Sequence, residues 1–141
     1  MKLILNRIKT PDGTILTSKY THDFIMYEDK NGKSYGVDGG MSYAKRIGDT
    51  NECEDLSVYV DEDTIEEKYE ALRDTLAESI NWGSRGINGD EPVRWLKITE
   101  MSDGHLDALV NVYKGPVDAF YKKCFKYEIE YRKTHNIIVN D

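Results

Sequence analysis

The sequence predicts an α+β fold in which an N-terminal antiparallel β-meander packs with two or three helices. Three observations predict it. Short β-like runs are separated by Pro11-Asp12-Gly13 and Asn31-Gly32, which supply the fixed and the positive backbone dihedrals of tight turns. Ile65, Tyr69, Leu72, Leu76 and Ile80 recur at three- and four-residue intervals, the period of one helix face. A carboxy-terminal segment carries an apolar stripe too wide for a surface helix on a monomer. At 141 residues the chain is the size of one domain, 1–141.

Residues 2–9 and 14–20 read as strands joined at Pro11-Asp12-Gly13. His22 to Asp29 reads as a third strand, Lys30-Asn31-Gly32-Lys33 as a turn, and 34–37 as a fourth strand. Gly39-Gly40 breaks the sheet. Met41 to Ile47 is expected as a short amphipathic segment, followed by an acidic loop and a strand from Leu56 to Val60. Asp63, with Glu66 three residues later, resembles a capping box at the head of the first helix. That helix presents Glu66, Glu67, Glu70, Asp74 and Glu78 on its solvated face.

Asn81 to Pro92 reads as a glycine-containing loop and Val93 to Ile98 as a strand; Ser102 caps a second helix reaching Tyr113. Pro116 stands where a first-turn proline belongs, so a third helix is expected over 117–133. Val117, Phe120, Cys124, Tyr127 and Tyr131 make one stripe on it, and Tyr121, Phe125 and Ile129 widen it. Part of this helix is therefore expected to pack against another subunit.

Charge narrows the function. The chain has 26 acidic residues against 19 Lys plus Arg, a formal net charge of −7. That argues against a general DNA- or RNA-coating protein, because neutralising phosphates needs a basic face. A small anion can still bind in a local arginine pocket. DNA mimicry is weakened by acids that are spread through helices and turns and form no duplex-like run. Cys53 and Cys124 have neither C-x-x-C spacing nor a histidine at metal-ligand spacing, so no metal site is expected and both read as free thiols. The amino terminus is too polar for a signal peptide, and no apolar run approaches the ~20 residues that span a bilayer. A soluble, intracellular protein is expected.

Candidates for catalysis are few. His22-Asp23 invites an acid/base reading, but neighbours on a strand point to opposite faces. Asp38 before Gly39-Gly40 fits a turn better than a reaction centre. A phosphodiesterase needs a metal cluster or paired histidine motifs, and His22, His105 and His135 stand in unrelated contexts. No catalytic residue and no cofactor are expected.

Binding has better candidates. In Trp82-Gly83-Ser84-Arg85-Gly86-Ile87-Asn88-Gly89 the glycines can bring backbone N–H groups up to phosphate. Arg85 can pair with phosphate in a forked geometry, and Trp82 can stack a base; a plain flexible connection would look much the same. Trp95 and Arg94 alternate on the next strand, with Trp95 expected to face the core. His105 and Asn111 lie six residues apart on the second helix, about 240° around it. Arg132 follows Glu128 by four residues, which also permits an ordinary helix-surface ion pair.

Four stretches together resemble a known family. They are Ser18-Lys19-Tyr20-Thr21-His22-Asp23-Phe24, Gly36-Val37-Asp38-Gly39-Gly40-Met41-Ser42-Tyr43, Glu54-Asp55-Leu56-Ser57-Val58-Tyr59 and Glu100-Met101-Ser102-Asp103-Gly104-His105-Leu106. The chain resembles, nearly end to end, the phage anti-Thoeris proteins, the first type of Thoeris anti-defense protein. The resemblance implies a non-enzymatic sponge that binds a cyclic ADP-ribose isomer (gcADPR) and does not cut it. It also implies homo-oligomers, dimer to hexamer, with pockets at subunit contacts, action in the host bacterial cytoplasm, and in some members binding of the cyclic di- or trinucleotides of CBASS immunity. A functional arginine near the carboxyl end gives Arg132 a second reading. The pocket expected on these grounds is Trp82, Arg85, Trp95, His105, Asn111 and Arg132, with Arg73 in reserve. The rivals are a phosphodiesterase-like enzyme that degrades the signal and an acidic inhibitor that binds a host defense protein directly.

Overall fold

The computed structural model describes residues 1–86 and 88–140 and is α+β, with a meander of antiparallel strands and three helices. It divides into two compact units, Met1–Ile65 and Glu66–Asp141.

In the first unit β1 (Lys2–Lys9) lies between β2 (Ile15–Ser18) and the short β6 (Glu54–Asp55) and β7 (Val58–Val60), all antiparallel to it. A second sheet has the order β3 (Ile25–Glu28), β4 (Ser34–Asp38), β5 (Lys45–Gly48). Ile8, Leu16, Tyr35 and Val37 form a buried cluster on which Ile25, Tyr27 and Cys53 pack. Both turns named from the sequence are present: Asp12 accepts from Thr10 and Thr14, and Asp29 Oδ1 accepts from the Asn31 and Lys33 N–H groups at 2.9 and 3.0 Å. Asn6 is buried on β1 and donates to the Asp38 and Tyr43 carbonyls, while Arg46 Nη1 donates to Asn6 Oδ1 at 2.6 Å.

Two expectations for this unit are corrected. Met41 to Ile47 is no amphipathic segment; its second half is β5, paired with β4 from Asp38↔Lys45 to Tyr35↔Gly48. The chain reverses because Gly39 and Gly40 hold φ of 111° and 52°, and a Cβ on Gly40 would run into the backbone of Tyr20. His22 is not on a strand either. It sits in a turn at φ 65°, closed by Asp23 N–H to the Tyr20 carbonyl at 3.0 Å, and β3 starts only at Ile25.

The second unit is built on α1 (Ile65–Ser79), α2 (Asp103–Asn111) and α3 (Ala119–His135), with a hairpin of β8 (Asn81–Ser84) and β9 (Arg94–Lys97). Ile65, Tyr69, Leu76 and Ile80 are buried, as their spacing predicts. The turn before α1 belongs to Asp61, not to the expected capping box: its Oδ1 accepts from Asp63 N–H and its carbonyl from Thr64 N–H. Ser102 caps α2 through His105 N–H at 3.0 Å.

The stretch expected as a loop from Asn81 is a strand at its start, pairing Asn81↔Lys97 to Ser84↔Arg94. Helix α3 begins two residues later than expected, because the Asp118 carboxylate accepts from the Phe120 and Tyr121 N–H groups. Asn136 ends it in the left-handed region at φ 55°, with Ile137 N–H bonded to the Arg132 carbonyl. Its apolar stripe is occupied within the chain: Phe120, Cys124 and Phe125 are buried, and Phe125 meets Trp82 and Tyr121 edge-on. The stripe is wide because it faces both a sheet and a helix neighbour, so it is not by itself a mark of another subunit. No helix among the described residues is long and apolar enough to cross a membrane.

Candidate functional site

The residues expected to bind a ligand fall into three groups, all in the second unit. The first is the β8–β9 ribbon. Antiparallel pairing puts Trp82 opposite Leu96 and Gly83 opposite Trp95, so alternation sends the two tryptophans to opposite faces. Trp82 is half-buried, edge-on to Tyr113 and Phe125 at centroid distances of 5.9 and 6.0 Å. It is a packing residue. Trp95, expected in the core, is instead 69% exposed. Its ring lies over Gly83, where a Cβ would come within 3.5 Å of it, and Val93 flanks the same spot.

Arg85 and Arg94 are exposed on the ribbon, and the Arg85 carbonyl accepts from Glu91 N–H at 2.9 Å to close the loop. Gly86 N–H donates to Ser84 Oγ, and Gly86 (φ 81°) leaves room for the Glu91 carboxylate. Ile87 of this loop lies outside the described residues. The ribbon thus offers an open indole face on a glycine floor; Arg85 is in the loop that follows β8, and alternation turns Arg94 to the face opposite Trp95.

The second group is on α2. His105 is half-buried, and its backbone is committed to the Ser102 cap. Asn111 is exposed and donates to Asp107 Oδ1, one turn back, at 2.8 Å.

The third group is a buried ion cluster. Glu128 is fully buried, and Arg73 grips it with two parallel hydrogen bonds, Nε to Oε1 and Nη2 to Oε2, both 2.8 Å. Arg132 Nε donates to Oε2 at 2.9 Å and Tyr69 Oη to Oε1 at 2.7 Å. Arg132 is 3% exposed and donates further to Asp103 Oδ1 at 2.8 Å and to the Ile98 and Thr99 carbonyls. Arg73 also lies over the Tyr131 ring, 4.5 Å from its centroid.

Burial alone would raise the Glu128 carboxyl, but hydrogen bonds from Arg73, Tyr69 and Arg132 outweigh it and hold the group below the usual carboxylate range. Burial, then the Glu128 charge, pushes the Tyr69 hydroxyl far up. Two of the three arginines expected as ligand contacts, Arg73 and Arg132, are thus brought together, and they meet on an internal anion. An external phosphate would have to displace Glu128 from Arg73 and four acceptors from Arg132.

No family model, curated protein or solved structure matches this chain. The site is therefore read from its own chemistry. A groove of about 450 Å³ beside the cluster is lined by Asp103, Asp107, Ile129, Arg132, Lys133 and Asn136 among others. Among the described residues, no three or more His, Cys, Asp or Glu side chains are grouped to hold a metal ion.

In the first unit, His22 and Asp38 are linked through a residue that sequence reasoning passed over. Tyr43 Oη lies 3.2 Å from His22 Nδ1 and donates to Asp38 Oδ2 at 3.3 Å. Asp23 turns away and accepts from Lys19 N–H. Glu128 and Arg132 pair as their four-residue spacing permits, but buried and not on the helix surface; the burial had a signal, because Glu128 falls on the side of α3 that carries Cys124 and Phe125, where a carboxylate must be paired.

Proposed function

We propose that the chain is a non-enzymatic anti-defense sponge that sequesters, uncleaved, a cyclic ADP-ribose isomer of Thoeris immunity. The observation that carries the reading is the exposed Trp95 on its glycine-floored ribbon, with the exposed Arg85 in the adjoining loop and Arg94 on the opposite face of the strand. A compact ligand that joins an adenine to a doubly negative pyrophosphate needs a stacking face and guanidinium donors. The four motif stretches that resemble the anti-Thoeris proteins supply the identity of the signal. The reading includes assembly from dimer to hexamer, action in the host bacterial cytoplasm, and competition by cyclic di- or trinucleotides. It moves the ligand contacts from Arg132 and Arg73, which are spent on Glu128, to the ribbon.

The deciding experiment mixes purified protein with the cyclic signal made by an activated Thoeris sensor, removes free ligand, heat-denatures the protein and weighs what is released. Intact signal in fixed stoichiometry is expected. An opened or smaller product would make the protein an enzyme, and a captured defense protein with no small ligand would make it a direct inhibitor.

A further inference from the structure

Five Asx-Gly pairs punctuate the chain: Asp12-Gly13, Asn31-Gly32, Asp38-Gly39, Asn88-Gly89 and Asp103-Gly104. At each, a backbone nitrogen can attack the preceding side-chain carbonyl, because glycine has no Cβ to hold the two apart. The fold leaves one of them open. Asp12 and Asp103 are kept ionised by hydrogen bonds, from Thr10, Tyr27 and Thr14 on the one and chiefly from Arg132 on the other, and an ionised carboxylate is a poor electrophile. Gly104 is in addition fixed in α2. Gly39 is walled in by the backbone and ring of Tyr43. At Asn31-Gly32 the Asp29 clasp holds three successive N–H groups, those of Asn31 and Lys33 on its carboxylate and that of Gly32 on its carbonyl at 3.1 Å, inside a turn that pairs Glu28 with Ser34.

Asn88-Gly89 has no such clasp. Both residues are exposed in the loop between β8 and β9, and Asn88 makes no hydrogen bond among the described residues. Gly89 N–H reaches the Gly86 carbonyl at 3.2 Å, and nothing lies within 4 Å of where a Gly89 Cβ would stand. We infer that Asn88 is a site of spontaneous deamidation and that its conversion is a clock on this loop. The Gly89 nitrogen gives up its proton and bonds to Asn88 Cγ, closing a succinimide; the Cγ–Nδ2 bond breaks, and Nδ2 leaves with that proton as ammonia. Water then opens the ring at one of its two carbonyls. The product is aspartate or, with the backbone rerouted through the side chain, isoaspartate. No electrons are exchanged, and solvent water is the only co-reactant. Either product adds a carboxylate to Asp90 and Glu91 in the loop that carries Arg85. That carboxylate competes with an external anion for the guanidinium, so retention of anions falls as the protein ages. This consequence rests on the sequestration reading; the conversion itself does not.

The test ages the full-length protein at mildly alkaline pH, digests it and weighs the peptides. The Asn88 peptide is expected to gain one mass unit about tenfold faster than the Asn31 peptide, the factor that one or two extra turn hydrogen bonds contribute. In urea the two rates should converge, because the Asp29 clasp is then gone. Ammonia is released in step with the mass gain, and Asn88→Gln should abolish the gain at that position while leaving Asn31 unaltered. Equal rates in the folded protein, a faster Asn31, or an Asn88 that stays unconverted while the urea-treated chain converts would each overturn the assignment. Retention of the cyclic signal, read by heat-release before and after ageing, checks the consequence: it should fall in wild type and hold in Asn88→Gln. An aged wild type that retains as much as fresh protein overturns the clock. Fresh protein that retains nothing sinks sequestration and leaves the mass reading to decide the conversion.

Discussion

Trp95 and Arg132 show how exposure alone can reverse the roles that residue type suggests. An indole on a strand reads as core, yet Trp95 is 69% exposed because its cross-strand partner is Gly83, which gives it a floor and no wall. Trp95→Ala should therefore leave the melting temperature nearly unchanged and weaken retention of the cyclic signal by about 1–3 kcal/mol, the worth of one stacked base. Calorimetric titration would check this, and unchanged affinity would remove the indole from the site. Arg132 is the opposite case. Its donors meet Glu128, Asp103 and two carbonyls, so Arg132→Ala should cost about 1–3 kcal/mol of stability by taking one donor from a buried carboxylate that Arg73 and Tyr69 still hold. A variant of wild-type stability that has lost only ligand would restore Arg132 to the ligand site. Residue type was legible in the sequence at both positions. What decided between the roles was which residues lay across the strand or helix, and that is set by long-range pairing.

At the scale of the element, the legible parts were those with local signals. The Pro11-Asp12-Gly13 and Asn31-Gly32 turns, the period of α1 and the Ser102 cap need only neighbours in sequence. Strand β5 was missed because Lys45, Arg46, Ile47 and Gly48 do not alternate in polarity; they pair because the Gly39-Gly40 reversal delivers them to β4. Strand β8 was hidden by its own glycine. The start of α3 was misread through Pro116, when the cap two residues on does the work with a carboxylate at the positive end of the helix dipole. Asp118→Ala is expected to destabilise the protein by about 1 kcal/mol, measured by urea unfolding. A loss near zero would mean that the helix starts equally well from Pro116.

At the scale of the whole molecule, the direction in which folding moves the carboxyl groups sets how stability depends on pH. The chain carries a formal charge of −7, yet several of its carboxylates are held ionised by specific donors. Glu128 is kept below its ordinary 4.5 by Arg73, Tyr69 and Arg132 against the pull of burial. Asp103 is lowered chiefly by its Arg132 hydrogen bond, and Asp12 by hydrogen bonds from Thr10, Tyr27 and Thr14. A carboxyl whose folded value is depressed binds a proton more readily in the unfolded chain, so its stabilisation is complete above the unfolded value and is lost as pH falls through the folded one. Stability should therefore be level above about pH 5 in respect of these groups, and should fall steeply on acidification below it. Glu128→Gln removes one of those protons while keeping the shape of the side chain. Its stability at neutral pH should be lower, because two arginines then face an amide, but its acid limb should be shallower by the uptake of about one proton. Urea unfolding at intervals from pH 7 down to pH 2 measures both quantities. If the variant loses stability with the same acid slope as wild type, the slope comes from Asp103, Asp12 and the general relief of charge, and the Glu128 cluster is a packing device whose ionisation is not coupled to unfolding.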